Sequence, residues 1–487
     1  MDNHDYKKHS FNIKKCFKLK DLNIIIKKLK NYSAPWQDKI HNLMLKNTTE
    51  QFRNLILHLI NLTVRKNELA HNRKSSIITM MQKKVANSND PKDYRPISLT
   101  SNIAKIAEKM IAFKLKDFLK NNNIIIKQQS GFRNNRQTKD NICFMTQKIK
   151  ENFNRGQKAC GIFYDIAVAF DKVWHKGLLF KLIKQKVPNY IICWLRNFLE
   201  NRSFKVKVGL STSVSYKITA GVPQGAAFSP ILFSIFINDI PLRHKINKDY
   251  GLLFADDLIS INVFKKYGNI NNHINKYLKK VEKWLKSWRL MMAPQKCNFI
   301  VFSQNNNEKK NLELKFFDSN ITQVDNTTFL GIRFDSSLTF NFQIKYLQDS
   351  CLNRLNFLKV VSKRSFGLTT LTLNQLYISL IRSILEYSAI ISPIISTSNF
   401  EKINIIQNKA IKIINKKSIY SSLSDIDTEI INLAERFNYL NLKYFTNALV
   451  NNNELITELW SDYQSYTTSR ATSHPTVFCK YKDSIKL

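Results

Sequence analysis

The sequence is short of acidic residues, of cysteines and of long apolar runs. Only 36 of its 487 residues are Asp or Glu, against 76 Lys or Arg, so the formal net charge is 76 − 36 = +40. Such a charge repels itself in a compact chain unless an anionic partner offsets it, which predicts binding to a nucleic acid or to an acidic membrane surface. A coding bias towards lysine is the alternative source of part of the excess. Apolar residues make up 44% of the chain, which excludes disorder as its main state.

The cysteines lie far apart, and none forms a close Cys or Cys/His pair with the spacing of zinc ligands. There are seven of them, an odd number. Their spacing excludes a short zinc module and a disulfide framework, and indicates a reducing, intracellular compartment. The positions are Cys16, Cys143, Cys160, Cys193, Cys297, Cys351 and Cys479.

No stretch reaches the roughly 18 uninterrupted apolar residues of a membrane span. Residues 371–395 come nearest, but Arg382 and Glu386 interrupt them. The polar N-terminus lacks the apolar run of a signal peptide. We therefore expect no membrane partner. A basic patch that docks on a membrane is the alternative, although no helix combines a basic face with aromatic residues opposite it.

The length of 487 residues predicts about three modules at about 150 residues each, and the spacing of apolar residues predicts a mixed fold. Helices are predicted over 22–29, over 52–59 with Thr49 as a possible N-cap, over a segment ending near Leu119, over 231–237 and over 274–288. Strands are predicted over 159–164, 252–255, 258–261, 299–302 and 329–332. After Phe342 the spacing is that of a helical bundle. Strands that alternate with helices in this way indicate an α+β layer.

The polar positions of the predicted bundle carry many cations and almost no acids. A solvated face and a contact with a phosphate backbone both fit this pattern. The cations are Lys359, Lys363, Arg364, Arg382, Lys402, Lys409, Lys412, Lys416 and Lys417.

Three carboxylates follow predicted strands. Asp165 comes directly after strand 159–164, and Asp256 and Asp257 separate two apolar strands, which predicts that the pair forms the two-residue tip of a hairpin. Adjacent carboxylates with no local cation are costly unless a metal ion lies between them. Oxygen ligands favour Mg²⁺, and two ions about 3.5 to 4 Å apart would serve phosphoryl transfer. An ordinary hairpin turn is the alternative for the Asp pair.

Residues 221–230 hold two glycines and two prolines ahead of an apolar helix. These residue types restrict the loop and let its backbone approach a ligand closely. A rigid turn without a ligand would have the same composition. The order and separation of this loop and the carboxylates are more specific than either feature alone.

These segments resemble the polymerase motifs of reverse transcriptases, and are most similar to those of the jockey-like non-LTR retrotransposons. The resemblance extends from about residue 20 to about residue 420. The resemblance to motifs A, B and C lies in residues 163–171, 221–230 and 254–257, in that order. The resemblance to the fingers motifs lies in residues 93–99, 105–108, 129–133 and 138. Motifs D and E are matched in the same way by residues 288–296 and 329–332, and the thumb by residues 380–387.

The resemblance implies a role for each carboxylate. Asp165 and Asp256 would ligate two Mg²⁺ ions, for which Mn²⁺ is a possible substitute, and Asp257 would support them as a further metal-site carboxylate. Lys296 would protonate the departing pyrophosphate, although an exposed surface lysine is the alternative. Gly331 would lie in the primer grip, where a small residue lets the primer backbone approach.

The resemblance also implies a nucleotide-binding set. Arg95, whose planar guanidinium fork matches phosphate oxygens, would hold the triphosphate together with Lys83. Phe170 would exclude a 2′-hydroxyl and so select deoxynucleotides; a core aromatic residue is the alternative. Gln224 and Gly225 would line the nucleotide and template position.

The fold implied is a right-hand polymerase of the α+β class, with an antiparallel ferredoxin-like palm sheet and a helical thumb. The expected regions are an N-terminal helical extension (1–70), fingers (71–158), palm (159–345), thumb (346–430) and a C-terminal tail (431–487).

The implied function is RNA-directed DNA polymerase in retrotransposon reverse transcription. It would copy an RNA template, and DNA as well, from the 3′-hydroxyl of a DNA primer or target with dNTPs. Endonuclease activity would have to come from elsewhere, because this chain begins at the region that follows the family's endonuclease domain. The nucleus is the expected location, with the cytoplasm as the alternative. Competing hypotheses are a catalytically idle nucleic-acid-binding remnant and, less well supported by residues 221–225, an intron-encoded splicing factor.

Some positions depart from the family pattern. The N-terminal Ala-Pro-Gly-Pro-Asp-Gly-Ile turn of the family appears here as residues 34–40 without either glycine, so its tight turn must be rebuilt. Ala226 replaces the usual Ser, and Ala293 replaces the Asn expected before Lys296. We expect these changes to affect rate and fidelity rather than the reaction itself.

Overall fold

A computed structural model describes residues 17–36, 38–69, 74–83, 90–242, 249–304, 311–418 and 420–467. Cys16 and Cys479 lie outside these residues, and so does Gln37 of the N-terminal turn. Within them, no helix is both long enough and apolar enough to cross a membrane.

The α-helices of the described residues follow most of the predicted periodicities. They are α1 (Leu19–Lys27), α2 (Asn42–Lys46), α3 (Glu50–Lys66), α4 (Asn102–Asn121), α5 (Thr138–Asn154), α6 (His175–Lys184), α7 (Asn189–Leu199), α8 (Ser229–Phe236), α9 (Ile270–Ser287), α10 (Asn341–Val361), α11 (Thr370–Tyr377), α12 (Ser383–Tyr387), α13 (Thr397–Ile414), α14 (Leu433–Val450) and α15 (Glu454–Thr467). A π-helical segment, Ile378–Arg382, joins α11 to α12.

The strands fall into two larger sheets and two hairpins. They are β1 (Ser75–Gln82), β2 (Tyr94–Leu99), β3 (Lys158–Tyr164), β4 (Arg202–Val208), β5 (Ser211–Thr212), β6 (Tyr216–Ile218), β7 (Tyr250–Phe254), β8 (Asp257–Phe264), β9 (Asn298–Phe302), β10 (Lys315–Phe316), β11 (Ser319–Asn320), β12 (Thr322–Gln323), β13 (Asn326–Phe329) and β14 (Ile332–Asp335). With helices α1 to α15, they confirm the predicted α+β class.

The chain divides into two compact units. The first comprises Met1–Ile126, Ile166–Ile240 and Trp284–Met291, and the second comprises Lys127–Asp165, Pro241–Lys283 and Met292–Leu487. The sheet of the first unit has the order β2-β1-β4-β5, with β6 also paired to β4. The sheet of the second unit has the order β12-β9-β3-β8-β7.

Aromatic packing stabilises the first unit beside its sheet. Trp194 on α7 is buried and stacks on Phe198, with the ring centroids 5.7 Å apart, and both rings meet the edge of Phe228. The indole N–H of Trp194 donates to Thr63 Oγ1 of α3 at 3.3 Å. Helix α3 begins where predicted, because Thr49 caps it by accepting from the Phe52 N–H at 3.3 Å.

The sheet of the second unit is built around the central strand β3. β3 lies between β8 and β9, antiparallel to both, and only the short β12 runs parallel to its neighbour β9. Six of the seven residues of β3 are buried, as expected for a central strand. This burial positions the residue that follows β3 at the end of the sheet.

Helices α14 and α15 complete the core around this sheet. Tyr444, Phe445, Leu459 and Trp460 lie in one buried cluster with α5 residues and with strand residues such as Phe302. The hydroxyl of Tyr444 donates to Asp140 Oδ1 of α5 at 2.8 Å. The sequence alone did not indicate that these C-terminal helices belong to the core.

The predictions for residues 329–332 and for Arg382 were wrong. Residues 329–332 were predicted to form one strand, but Leu330 and Gly331 form the turn between β13 and β14. Both turn residues have positive φ, +47° and +79°, which reverses the chain. Arg382 was grouped with exposed cations of the helical bundle, yet it is buried and pairs with Glu386 at 3.0 Å.

The N-terminal turn is rebuilt without glycine. Lys39 adopts a left-handed φ of +54° at the position where the family has Gly, and its N–H donates to the Trp36 carbonyl at 3.0 Å. Asp38 stabilises the turn by accepting from the Ile40 N–H at 3.1 Å and from Ser101 Oγ at 2.7 Å. The hydrogen bonds of Asp38 thus support a backbone conformation that favours Gly.

Candidate active site

The register of the central strands of the second unit brings Asp165 and Asp257 to the same end of the sheet. β3 and β8 pair antiparallel, with Tyr164 opposite Leu258 as the last pair. The next position along β3 is Asp165, and the next position along β8 in the opposite direction is Asp257. Two neighbouring strands therefore end in carboxylates, an adjacency that the sequence alone did not establish.

Asp256 joins them from the turn between β7 and β8, although the position of that turn differs from the prediction. Phe254 pairs with Asp257, so the two residues of the turn are Ala255 and Asp256 rather than Asp256 and Asp257. Ala255 is buried and has a φ of +58°. The turn begins one residue earlier because Asp257 is the first residue of β8.

The three carboxylates repel one another. Although Asp257 reaches solvent, the protein around it reduces the hydration of its charge, and this desolvation together with the charges of Asp256 and Asp165 raises the pKa of Asp257 to about 6. A cation bound among the three side chains would remove that repulsion.

We expect Asp257→Asn to stabilise the metal-free protein at pH 7.5. A carboxyl with a raised pKa in the folded state stabilises the fold most at low pH, and that contribution is lost as the pH rises from about 4 to about 6. In the wild type, the ionised Asp257 destabilises the fold at pH 7.5, whereas the Asn side chain carries no charge. The melting temperature of Asp257→Asn should therefore exceed the wild-type value at pH 7.5, and the difference should become smaller as the pH falls through 6. Differential scanning fluorimetry at pH 5 and at pH 7.5 measures the difference in melting temperature between the variant and the wild type.

Asp427→Asn is the matched control, because Asp427 is an exposed carboxylate elsewhere in the second unit. It should give no gain that depends on pH between 5 and 7.5. If Asp257→Asn raised the melting temperature equally at pH 5 and at pH 7.5, this result would contradict charge repulsion at Asp257.

Lys296 lies on the other side of β3. β9 pairs antiparallel to β3 with Phe163 opposite Asn298, and Lys296 ends the short 3₁₀ helix Pro294–Lys296 just before β9. The turn before β9 is tied to that carboxylate residue, since the Ala293 N–H donates to the Asp165 carbonyl at 3.1 Å and the Lys296 N–H to the Ala293 carbonyl at 2.9 Å. The Lys296 side chain is exposed.

Gly331 lies in the turn between β13 and β14, next to Tyr387 of α12. The Tyr387 hydroxyl donates to the Leu330 carbonyl at 2.6 Å. A Cβ on Gly331 would lie 3.2 Å from the Tyr387 ring, and φ is +79° there. The site thus requires Gly both for its conformation and for its closeness to the ring.

In the first unit, the glycine-containing loop packs against β2 and the segment after β3. The Ser98 N–H donates to the Gln224 carbonyl at 2.7 Å, and a Cβ on Gly225 would lie 2.9 Å from the Ser98 carbonyl oxygen. The Gln224 side chain donates to both carboxylate oxygens of Asp171, at 3.2 and 3.1 Å. Close contact of backbones explains the requirement for Gly at position 225, where φ is +114°.

The other predicted nucleotide-binding residues also lie in the first unit. Phe170 stacks on Phe233 with the ring centroids 4.7 Å apart, and its carbonyl accepts from the Val222 N–H at 2.8 Å. Arg95 is an exposed residue of β2 and pairs with Met81 of β1. Lys83 follows β1, and its N–H donates to the Asp93 carbonyl at 2.7 Å. The loop, β2 and Phe170 are therefore brought together within one unit.

Sequence reasoning missed two supporting residues. Asp171 was quoted as the end of motif A without a role, yet it receives the Gln224 amide, and burial raises its pKa. Gln129 was quoted only as part of a fingers motif, yet its side chain contacts the backbone of Ala255. Neither contact could be found from spacing, because each joins residues more than 50 positions apart.

The residues that could hold metal ions are Asp165, Asp256 and Asp257. Their oxygen atoms are the ligands that Mg²⁺ prefers, and their mutual repulsion is what bound cations would relieve. Among the described residues, no group of three or more His, Cys, Asp or Glu side chains is already arranged around one metal position. The donor chemistry fits a divalent ion.

The α+β class and the carboxylates at adjacent strand ends are features expected of a right-hand polymerase. Residues 81–334, just over half of the chain, match the family model described as reverse transcriptase (RNA-dependent DNA polymerase). The chain therefore belongs to the reverse transcriptase family, whose members are nucleotidyltransferases.

Curated relatives specify the branch of this family. The chain is 29% identical to the probable RNA-directed DNA polymerase from transposon BS of Drosophila melanogaster, in a match that covers 80% of this chain and 43% of that protein. It is 28% identical to the RNA-directed DNA polymerase from mobile element jockey of the same species, with 91% and 49% covered. The predicted relationship to jockey-like non-LTR retrotransposons is confirmed. The match spans less than half of each of these relatives.

A solved structure also matches at low similarity. The telomerase of Candida tropicalis, in complex with the TWJ fragment of telomeric RNA, is 12% identical with a TM-score of 0.40, and the match covers 84% of this chain and 68% of that chain.

Proposed function

We propose that this chain is an RNA-directed DNA polymerase that extends a DNA primer on an RNA template, and on DNA as well, within retrotransposon reverse transcription. Membership of the reverse transcriptase family supports the reaction. The observation that carries the proposal is the set of three carboxylates at the adjoining ends of β3 and β8 and in the β7–β8 turn, where desolvation together with the charges of Asp256 and Asp165 raises the pKa of Asp257.

The carboxylates would hold two Mg²⁺ ions, or Mn²⁺ in their place, with Asp165 and Asp256 as ligands of both and Asp257 in support. Metal ions at such a site stabilise charge on the attacking and leaving oxygens. The primer 3′-hydroxyl would lose its proton to water as its oxygen forms a bond to the α-phosphorus of a dNTP and the bond from that phosphorus to pyrophosphate breaks. Lys296, in the turn whose Ala293 N–H donates to the Asp165 carbonyl, would give a proton to the departing pyrophosphate.

The first unit would bind the nucleotide. Arg95 and Lys83, beside the β1–β2 pairing, would hold the triphosphate. Gln224, oriented by Asp171, and Gly225, close against Ser98, would line the base and template position. Gly331 in the second unit would lie at the primer backbone, with Tyr387 beside it.

Primer extension on poly(rA)/oligo(dT) with Mg²⁺ tests the proposal. The wild-type chain should incorporate dTTP, and omission of the divalent ion should abolish incorporation. A wild-type protein that binds the duplex but does not extend it would instead support an idle nucleic-acid-binding remnant. The intact carboxylate set favours the enzyme, because binding alone does not require three adjacent like charges.

We expect Phe170→Val to admit ribonucleotides. The Phe170 ring is held by stacking on Phe233, and a smaller side chain would leave room for a 2′-hydroxyl. Discrimination between dTTP and UTP should fall by roughly 10²-fold, the scale of steric selection in a shaped pocket. Single-nucleotide incorporation kinetics measure the ratio of kcat/KM values. Phe180→Val, an exposed Phe of the same unit, should not change it. Equal discrimination in Phe170→Val would remove this residue as the sugar gate.

We expect the binding of a template–primer duplex to weaken steeply with salt. A chain of net charge +40 releases counterions from the phosphates that it contacts. If about 6 to 10 phosphates are contacted, the affinity should fall by about 10³ to 10⁵-fold between 50 and 200 mM salt. Fluorescence anisotropy with a labelled duplex measures the slope. A flat response would assign the charge excess to coding bias.

Reverse transcription of a mobile element needs a nicked DNA target as well as the polymerase reaction. The relatives are more than twice as long as the matched segment. Partners would then be an RNA template, a DNA primer or target and dNTPs, in the nucleus.

A further inference from the structure

The segment that ends in Gly131 runs alongside β7, the edge strand of the sheet in the second unit. Gln129 and Leu253 form a parallel bridge. The Ser130 N–H donates to the Leu253 carbonyl at 2.9 Å, and the Leu253 N–H donates to the Gln128 carbonyl at 3.0 Å. The strand that leads into the carboxylate turn is therefore held by main-chain hydrogen bonds on its outer edge.

The Gln129 side chain reaches from this segment to the turn itself. Its Oε1 accepts from the Ala255 N–H at 3.0 Å and from the Gly131 N–H at 2.8 Å. Its Nε2 lies 3.5 Å from the Ala255 carbonyl oxygen, to which it donates. Gln129 is only 1% exposed, so these hydrogen bonds are not exchanged with water.

The turn depends on these contacts for its shape. Ala255 has a left-handed φ of +58°, which residues with a Cβ rarely adopt. Ala255 is also buried. A buried backbone N–H needs a partner, and Gln129 Oε1 provides it. Asp256 is the next residue, so the backbone conformation of Ala255 determines the position of the Asp256 carboxylate.

Gly131 makes the close approach possible. A Cβ at this position would lie 2.3 Å from the Ala255 nitrogen and 2.9 Å from Gln129 Oε1. Any side chain would therefore force the two segments apart. The pair Gln129 and Gly131 thus fits the turn through a hydrogen bond and through the absence of a side chain.

We propose that Gln129 is a positioning residue, whose side-chain amide holds the Ala255–Asp256 turn in the conformation that binds metal ions. This inference rests on the proposed polymerase function. It concerns metal affinity and turnover, and not the binding of template and primer.

Two substitutions of Gln129 separate hydrogen bonding from size. Gln129→Met keeps the length but removes the strong acceptor, whereas Gln129→Glu keeps an acceptor for both N–H groups. Gln407→Met is the matched control, because Gln407 is a buried amide that accepts from the Tyr377 hydroxyl at 2.8 Å in the helical bundle of α10 to α13. All variants are made in the full chain.

The measurements are primer extension as a function of Mg²⁺ concentration and, without nucleic acid, the rise of melting temperature with Mn²⁺. In Gln129→Met we expect kcat to fall by about 10 to 100-fold, the usual cost of losing a residue that orients metal ligands. The Mg²⁺ concentration for half-maximal rate should rise, the KM for template–primer should stay unchanged, and Mn²⁺ protection should shrink. Gln129→Glu should restore most of the rate.

Gly131→Ala should reproduce the Gln129→Met result, and Gly268→Ala should not, because nothing lies within 4 Å of a Cβ there. The inference is overturned if Gln129→Met and Gln407→Met lose rate equally with an unchanged metal requirement. An inactive wild type would contradict the polymerase function instead, and Mn²⁺ protection would still test the role of Gln129.

Discussion

Asp256→Asn should abolish primer extension while leaving the binding of a template–primer duplex intact. Asp256 lies in the turn between β7 and β8, next to the strand end where Asp257 faces Asp165. Replacing its carboxylate by a neutral amide removes a proposed ligand of both metal ions. We expect the rate to fall on the order of 10² to 10³-fold or more, since one preorganised electrostatic contact alone has that value.

The same substitution should relieve repulsion and therefore not destabilise the metal-free fold. Melting temperature without metal should equal or exceed the wild-type value, because the charge of Asp256 helps to raise the pKa of Asp257. Asp349→Asn, on the exposed surface of α10, is the matched control and should retain full activity. Primer extension by Asp256→Asn at a rate close to wild type would refute the assignment of the metal site.

Leu459→Ala should lower the free energy of unfolding by about 2 to 5 kcal/mol, the range for truncating a buried leucine. Leu459 on α15 is fully buried in the cluster that also contains Phe302 of β9 and Ile149 of α5. The cavity would open beside the sheet whose strand ends carry the carboxylates. Chemical denaturation monitored by circular dichroism measures the loss.

Leu352→Ala is the control, because Leu352 on α10 is 53% exposed and its truncation should change stability by less than about 0.5 kcal/mol. Similar small effects of both substitutions would mean that α15 does not belong to the core.

A chain that ends at Asn432 should be insoluble, since it would expose the apolar residues that α14 and α15 cover.

Much of the secondary structure could be predicted because its signals are local. The apolar run before Asp165 predicted β3, the spacing after residue 270 predicted α9, and Thr49 predicted the start of α3. Predictions were wrong where a turn was hidden inside an apolar run. Leu330 and Gly331 look like strand residues, but their positive φ angles reverse the chain.

The role of the C-terminal helices could not be predicted for a different reason. Residues 433–467 are polar enough to resemble a tail. Their apolar residues are recognised as core residues only because they pack against α5 and the sheet. Tyr444 shows this, because its hydroxyl donates to Asp140, about 300 residues earlier in the chain. Arg382 shows the converse, since its burial depends on Glu386 and on the Ile431 carbonyl.

The sequence by itself determined the charge of the chain, the order of its motifs and the identity of the three carboxylates, because these follow from residue type and spacing. Only the tertiary structure decided which backbone groups meet. Strand register set Asp165 opposite Asp257, and the turn shifted to Ala255 because Asp257 begins β8 and the buried Ala255 N–H finds its acceptor in Gln129. Such contacts depend on long-range pairing, which a linear pattern of apolar and polar residues does not encode.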